Sequence, residues 1–287
     1  MSKNKSMAYQ VKNQLGSVTC YGRSKHQDKR ISNNFHPIGI YSVGTYKNYL
    51  NKCTAFCNWC KATHGCRTIE ECKPYIREYL EAYSEGKSAW SINTVKYAIQ
   101  KLFDVTDHGF KVDFAAPKRR RIDIEKNRGS VSEVKDFNEK KYAAELNFGC
   151  ATGARRAAML KLEYKDIFLK EGDLYVHFEK DKGGKSRDVK IMPRYRKFIE
   201  SFIGKGAPTE KIFKHLPSRF PEHRCRRHFA QEYYSLIARN TDDIPLKERY
   251  VCRADKYGRV FDRKAMMTVS EALGHGRVDV MALHYLD

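Results

Sequence analysis

From Tyr46 the apolar positions recur at helical spacing. Tyr46, Tyr49, Leu50, Cys53, Phe56, Cys57 and Cys60 form one stripe of an amphipathic helix. Thr68-Ile-Glu-Glu71 follows as a capping box, in which a hydroxyl and a carboxylate satisfy orphan amides reciprocally. Pro74 restarts the helix at its first turn, where a missing N–H costs nothing. Ile76, Tyr79, Leu80 and Tyr83 make a second stripe, which Gly86 ends. Ser91 is placed to cap a third helix carrying Ile92, Val95, Ile99, Leu102 and Phe103. The pattern is a small helical bundle with no strand signal. Residues 1–40, rich in Lys, Ser and Asn, read as a loose arm or a short helix.

The second half mixes periods. Lys140 to Gly149 is helical, and another helix follows Gly153. Leu174, Val176 and Phe178 alternate, as do Val189 and Ile191, with the turn-forming Lys180-Asp-Lys-Gly-Gly-Lys-Ser186 between them. That predicts a β-hairpin with a basic, glycine-bearing tip. Arg224 to Asn240 reads as a helix, and Tyr250 to Phe261 as a second hairpin around Lys256-Tyr-Gly258. Lys264 to Leu273 is helical, Gly274 stops it, and a last short helix reaches Tyr285. The fold class is therefore mainly α with a small β-sheet (α+β). The division runs as an N-terminal arm at 1–40, a helical domain at 41–116, a linker at 117–131 and a mixed domain at 132–287. No internal repeat or low-complexity tract interrupts it.

Charge changes the picture. Among 287 residues, 55 Lys and Arg stand against 34 Asp and Glu, a net charge of +21. A surface that basic repels itself unless a polyanion neutralises it, and packing on phosphates releases condensed counterions. Nucleic acid is the indicated partner. The linker's Lys118, Arg119, Arg120 and Arg121 read as phosphate contacts, against the alternative of a solvated hinge. No run of about 18 apolar residues suggests a membrane span. The opening MSKNKSMAYQ lacks the apolar core of a secretory signal, which implies a cytoplasmic protein. Nine cysteines without such a signal imply free thiols. Cys57-x-x-Cys60 could begin a zinc site, but its place on the apolar stripe favours core packing, so neither a metal nor a cofactor is expected.

Cutting a phosphodiester without a metal needs a nucleophile, cations for the non-bridging oxygens and an acid for the departing oxygen. Guanidinium suits the clamp because its planar fork holds two oxygens at once. Such parts occur in order along the second half. Thr152-Gly-Ala-Arg-Arg156 places arginine at a helix start, and Lys182 lies at the hairpin tip. His223-Arg-Cys-Arg226 sets two polar groups three apart on one helical face, and Leu273-Gly-His275 precedes Tyr285. Each alone is common in a basic protein; the ordered set is specific.

The set resembles the tyrosine recombinase (phage integrase) family, whose order is Arg, Lys, His-x-x-Arg, His or Trp, Tyr. Thr152-Gly-Ala-Arg155 resembles the first-arginine box and Lys182-Gly-Gly-Lys-Ser-Arg187 the hairpin. His223-Arg-Cys-Arg-Arg-His-Phe-Ala230 resembles the His-x-Leu-Arg-His-Thr-Phe-Ala box. The match spans residues 130–287; the helical first half resembles the family's core-binding domain in pattern alone. The resemblance implies Arg155, Lys182, His223, Arg226, His275 and Tyr285 as catalytic residues, with Lys185 a further DNA contact. It implies a 3′-phosphotyrosyl intermediate, double-stranded DNA as partner and a homotetramer on two DNA sites. An accessory DNA-bending or directionality factor and a nucleoid-associated location would go with it.

Departures mark a divergent branch, such as one carried by an integrative element. Ala158 stands three residues after Arg155, where the family usually has Glu or Asp, so another group is expected to position Arg155. Tyr285 lies ten residues after His275, one more than the commoner spacing, and the sequence stops two residues later. Two rival readings are a type IB topoisomerase and a catalytically inactive DNA-binding protein.

Overall fold

The centre of the first stripe, Cys53, Phe56, Cys57 and Cys60, is buried on one helix, α3 (Val43–His64), in the computed structural model. The structure describes residues 5–32, 37–118, 137–179, 186–253 and 256–286. The chain divides into two compact units, Met1–Asp123 and Ile124–Asp287.

In the first unit the described part of the opening segment is helical, one of the two alternatives expected of it. It forms α1 (Met7–Gly16) and α2 (Lys25–Ile31), and α1 sends Met7, Val11 and Leu15 into the core beside α3. These residues recur at i, i+4 and i+8, a stripe hidden by the polar residues between them. A parallel bridge between Thr19 and Ile40 closes the segment on itself. Then come α4 (Ile69–Cys72), a 3-10 turn holding Pro74, α5 (Ile76–Ser84) and α6 (Ala89–Asp104). Thr68 caps α4 as expected, but the Glu71 carboxylate accepts from the Arg67 N–H at 2.6 Å. The cap of α6 is Ser88, not Ser91: Ser88 Oγ accepts from the Ser91 N–H, so the helix starts three residues earlier. Ile92, Val95, Ile99, Leu102 and Phe103 are buried.

Cys57, Cys60, Cys66 and Cys72 are all buried in this core. Hydrogen bonds from Cys57 and Cys60 draw the Cys72 thiol down to about 4, while the same bonds and burial push Cys57 and Cys60 up. Among the described residues no group of three or more His, Cys, Asp or Glu has the geometry to hold a metal ion. Among them, too, no helix is long and apolar enough to cross a membrane.

The second unit opens with α7 (Ala143–Thr152) and the single turn α8 (Arg156–Met159). A three-stranded antiparallel sheet follows in the order β1 (Ile167–Lys170), β2 (Asp173–Phe178), β3 (Arg187–Lys190). Leu174, Val176 and Phe178 face the core, and Val176 pairs with Ile167 on one side and Val189 on the other. The periodicity missed β1, which is too short to show alternation. Its signal is the two-residue turn Glu171-Gly172, both at positive φ (53° and 82°), which suits a tight hairpin. The expected lysine-bearing tip, with Lys182 and Lys185, lies outside the described residues, as do Arg119, Arg120 and Arg121. The rest is α9 (Arg196–Glu200), α10 (Glu222–Ile237), the expected second hairpin β4 (Arg249–Val251) and β5 (Val260–Asp262), α11 (Arg263–Ala272) and α12 (Val278–His284).

Candidate active site

Arg226 projects from α10 into the core and is only 1% exposed. Its Nη1 donates to the Gly153 carbonyl at 2.5 Å and its Nη2 to the Leu273 carbonyl at 2.9 Å. Gly153 caps the end of α7 and Leu273 the end of α11. Helix C-termini carry partial negative charge and unsatisfied carbonyls, so two of them solvate a buried guanidinium. Gly153 sits at φ 59°, and a Cβ there would meet Leu273 Cδ2 at 2.6 Å and Phe229 Cδ1 at 2.8 Å. Only glycine lets the α7 terminus come close enough for Arg226 to reach it.

Two further groups meet the same guanidinium. Nη2 faces His275 Nε2 at 3.1 Å, and Nε donates to the Tyr285 hydroxyl at 3.4 Å. His275 Nε2 lies 3.1 Å from that hydroxyl. Guanidinium has donors only, so in this contact Nε2 is the acceptor. An accepting Nε2 is able to take the hydroxyl proton. Arg226, His275 and Tyr285 thus form a closed hydrogen-bonded triangle.

Local structure holds the triangle in place. After α11 the chain turns through Gly274 (φ 75°) and Gly276 (φ 66°), with the His275 N–H bonded to the Ser270 carbonyl at 2.8 Å. Buried Ser270 donates to the Arg277 carbonyl at 2.7 Å and accepts from the Arg277 N–H at 3.0 Å, closing the turn. At its other end α11 is capped by Asp262, which accepts from the Lys264 N–H at 2.9 Å. Hydrogen bonding from Arg239 holds the Asp262 carboxyl well below the usual carboxylate range. Tyr285 is the C-cap of α12, one residue past the helix, and is 8% exposed. Lys256, from the β4–β5 connection, donates to the Leu286 carbonyl and so tethers the chain just after Tyr285. Arg187, the first residue of β3, donates to the Ala272 carbonyl, which brings that strand end to the α11 terminus.

The remaining candidates sit as follows. Arg155 is the N-cap of α8, half-buried, two residues from the Gly153 carbonyl that Arg226 holds. Arg156 turns away: its Nε and Nη2 donate to the Leu216 carbonyl at 3.1 and 2.6 Å. Its Nε also donates to the Pro217 carbonyl at 2.8 Å. The Arg156 guanidinium is thus engaged with backbone carbonyls. His223 lies at the start of α10 with its side chain 47% exposed. Lys118 is exposed in the first unit. Periodicity and motif missed Glu222, whose carboxylate accepts from the Arg156 N–H at 2.6 Å.

Among solved structures, the chain is similar to the XerH site-specific recombinase bound to its difH substrate. The pre-cleavage complex matches with a TM-score of 0.51 and 14% identity, covering 97% of this chain and 90% of the other. The post-cleavage complex on palindromic difH matches with 0.50, 14%, 97% and 90%. The chain has the tyrosine recombinase fold. At this identity it is a divergent example of that fold. No protein-family model and no curated protein sequence matches the chain.

Proposed function

We propose that this protein is a site-specific DNA recombinase that cleaves and rejoins strands through a 3′-phosphotyrosyl bond at Tyr285. The observation that supports this most is the Arg226–His275–Tyr285 triangle. It places a buried guanidinium and a proton acceptor at one phenol oxygen. In the proposed step the Tyr285 oxygen bonds to phosphorus and the bond from phosphorus to the 5′-oxygen breaks. His275 Nε2 takes the tyrosine proton. Arg155 and Arg226 neutralise the non-bridging oxygens, His223 hydrogen-bonds the phosphate, and Lys182 gives a proton to the 5′-oxygen. The phosphotyrosyl bond conserves the cleaved linkage, so rejoining needs no nucleoside triphosphate. The helical residues 41–116, the basic linker 117–131 and Lys185 would grip the duplex. A homotetramer on two DNA sites would exchange strands, as in an integrase of a mobile element.

A pool of nicked duplexes tests this, because the broken 5′ end diffuses away and the adduct accumulates. A protein–DNA adduct stable in detergent is the expected product. Relaxation of any supercoiled plasmid without strand exchange would move the reading to a type IB topoisomerase.

The net charge of +21 makes affinity a test as well. A clamp on about 6–10 phosphates is expected to lose roughly 10³–10⁵ in affinity between 50 and 200 mM salt. A nearly flat salt dependence would place the basic surface elsewhere.

Lys182→Ala is expected to slow cleavage by about 10²–10⁴, the range for loss of a general acid. A scissile 5′-sulfur is expected to restore the rate, because a thiolate leaves without a proton. It should leave Tyr285→Phe inactive. If sulfur does not help Lys182→Ala, the proton comes from another group, with Lys185 the next to examine.

A further inference from the structure

Ala158 cannot supply the carboxylate that the first-arginine box usually carries. It is the third residue of α8, from which a longer acid would reach back toward the N-terminus of that turn. The need it leaves is specific. Arg155 is the N-cap of α8 and makes no side-chain cap bond, so the first amides of the turn lack a partner from their own cap. One of them, the Arg156 N–H, is bonded to Glu222 Oε2 at 2.6 Å. Such a short contact to a carboxylate is the charge-assisted kind, roughly twice as strong as a neutral one.

Glu222 belongs to a different helix, being the first residue of α10. The Arg156 side chain reaches the same region from the other direction, onto the Leu216 and Pro217 carbonyls. Arg156 is therefore held by backbone and side chain to the segment that leads into α10. The other oxygen of the carboxylate, Oε1, lies 3.8 Å from His223 Nε2. One carboxylate thus stands between the turn that carries Arg155 and the ring of His223. Four residues further along α10 is Arg226, which holds Gly153 from the far side of that turn. The turn is pinned at both ends by the same helix.

We propose that Glu222 is the positioning residue for Arg155 in this chain, an acid supplied from the start of α10 in place of one at Ala158. Its role rests on the recombinase reading above. It touches no reacting atom; it sets where the Arg155 and His223 side chains begin.

The test uses the full chain and three variants at Glu222, with cleavage followed at saturating nicked DNA and DNA affinity and melting measured beside it. Glu222→Ala is expected to slow cleavage by about 10–100-fold, the effect of misplacing a clamp by less than about an ångström, with affinity changed less than about threefold. Glu222→Gln keeps an acceptor oxygen at the same reach and is expected to recover most of that loss. Glu222→Asp keeps the charge but is one methylene short, so it should resemble Glu222→Ala. It also serves if the alanine variant does not fold. The Arg156 amide proton gives a readout independent of cleavage: downfield and slow to exchange in the wild type and Glu222→Gln, shifted and faster in Glu222→Ala. Full cleavage by Glu222→Ala, or an Arg156 amide that ignores all three changes, overturns the proposal. If the wild type forms no adduct, the recombinase reading fails, while the amide signal still decides whether Glu222 holds the turn.

Discussion

Tyr285→Phe is expected to bind DNA as the wild type does and to form no covalent adduct. The substitution removes one oxygen from a ring that is 8% exposed and packed in the second core, so the surrounding side chains keep their contacts. What disappears is the atom at the apex of the triangle, 3.1 Å from His275 Nε2 and 3.4 Å from Arg226 Nε. No other tyrosine oxygen shares those two partners among the described residues. Tyr257, 85% exposed, is the control, because Tyr257→Phe changes a comparable phenol away from the triangle. Adduct yield on nicked duplexes after denaturing electrophoresis is the measurement. A Tyr285→Phe protein that still forms adduct at the wild-type level would mean another nucleophile. The central reading would then be lost.

How much of this site was legible beforehand depends on whether a feature is local. The Leu-Gly-His turn and the tyrosine ten residues on are local, and glycine at positive φ together with the Ser270 bonds explains why that spacing closes. The stripes on α3, α5 and α6 are local as well, and their central residues are buried where the period puts them. Other features are tertiary and leave no periodic trace. The contribution of α1 to the first core hides behind a polar composition. Strand β1 is four residues long and gains its identity from its partner β2. The Glu222–Arg156 bond joins residues 66 positions apart, so only the fold brings them together. Ser91, a good cap by type, lost to Ser88 because the helix extends one further turn toward its N-terminus. The order of Arg226, His275 and Tyr285 was readable along the chain. Their mutual distances were not.

Arg226→Ala is expected to lose both chemistry and stability, and the two losses have different causes. In chemistry, the variant removes a guanidinium aimed at the oxygen of the nucleophile and, in the proposed mechanism, at the phosphoryl oxygens. A charge of that kind is worth about 10³–10⁵ in phosphoryl transfer. For stability, the Gly153 and Leu273 carbonyls lose their donor inside the core, at about 1–3 kcal/mol for each orphaned group. The melting temperature should therefore fall, unlike that of Tyr285→Phe. Arg226→Lys separates the effects. A single ammonium keeps the charge, but it cannot meet Gly153, Leu273, His275 and Tyr285 at once, because those bonds use three different guanidinium nitrogens. It is expected to recover part of the melting temperature and to remain slower than wild type by about 10²–10³, the loss typical of one misaligned oxyanion donor. Single-turnover cleavage and thermal melts on the three proteins decide it. If Arg226→Lys cleaves at the wild-type rate, the positive charge alone suffices. If Arg226→Ala cleaves within tenfold of wild type while its melting temperature falls, Arg226 is a core brace between two helix ends, and the phosphate is held by other cations.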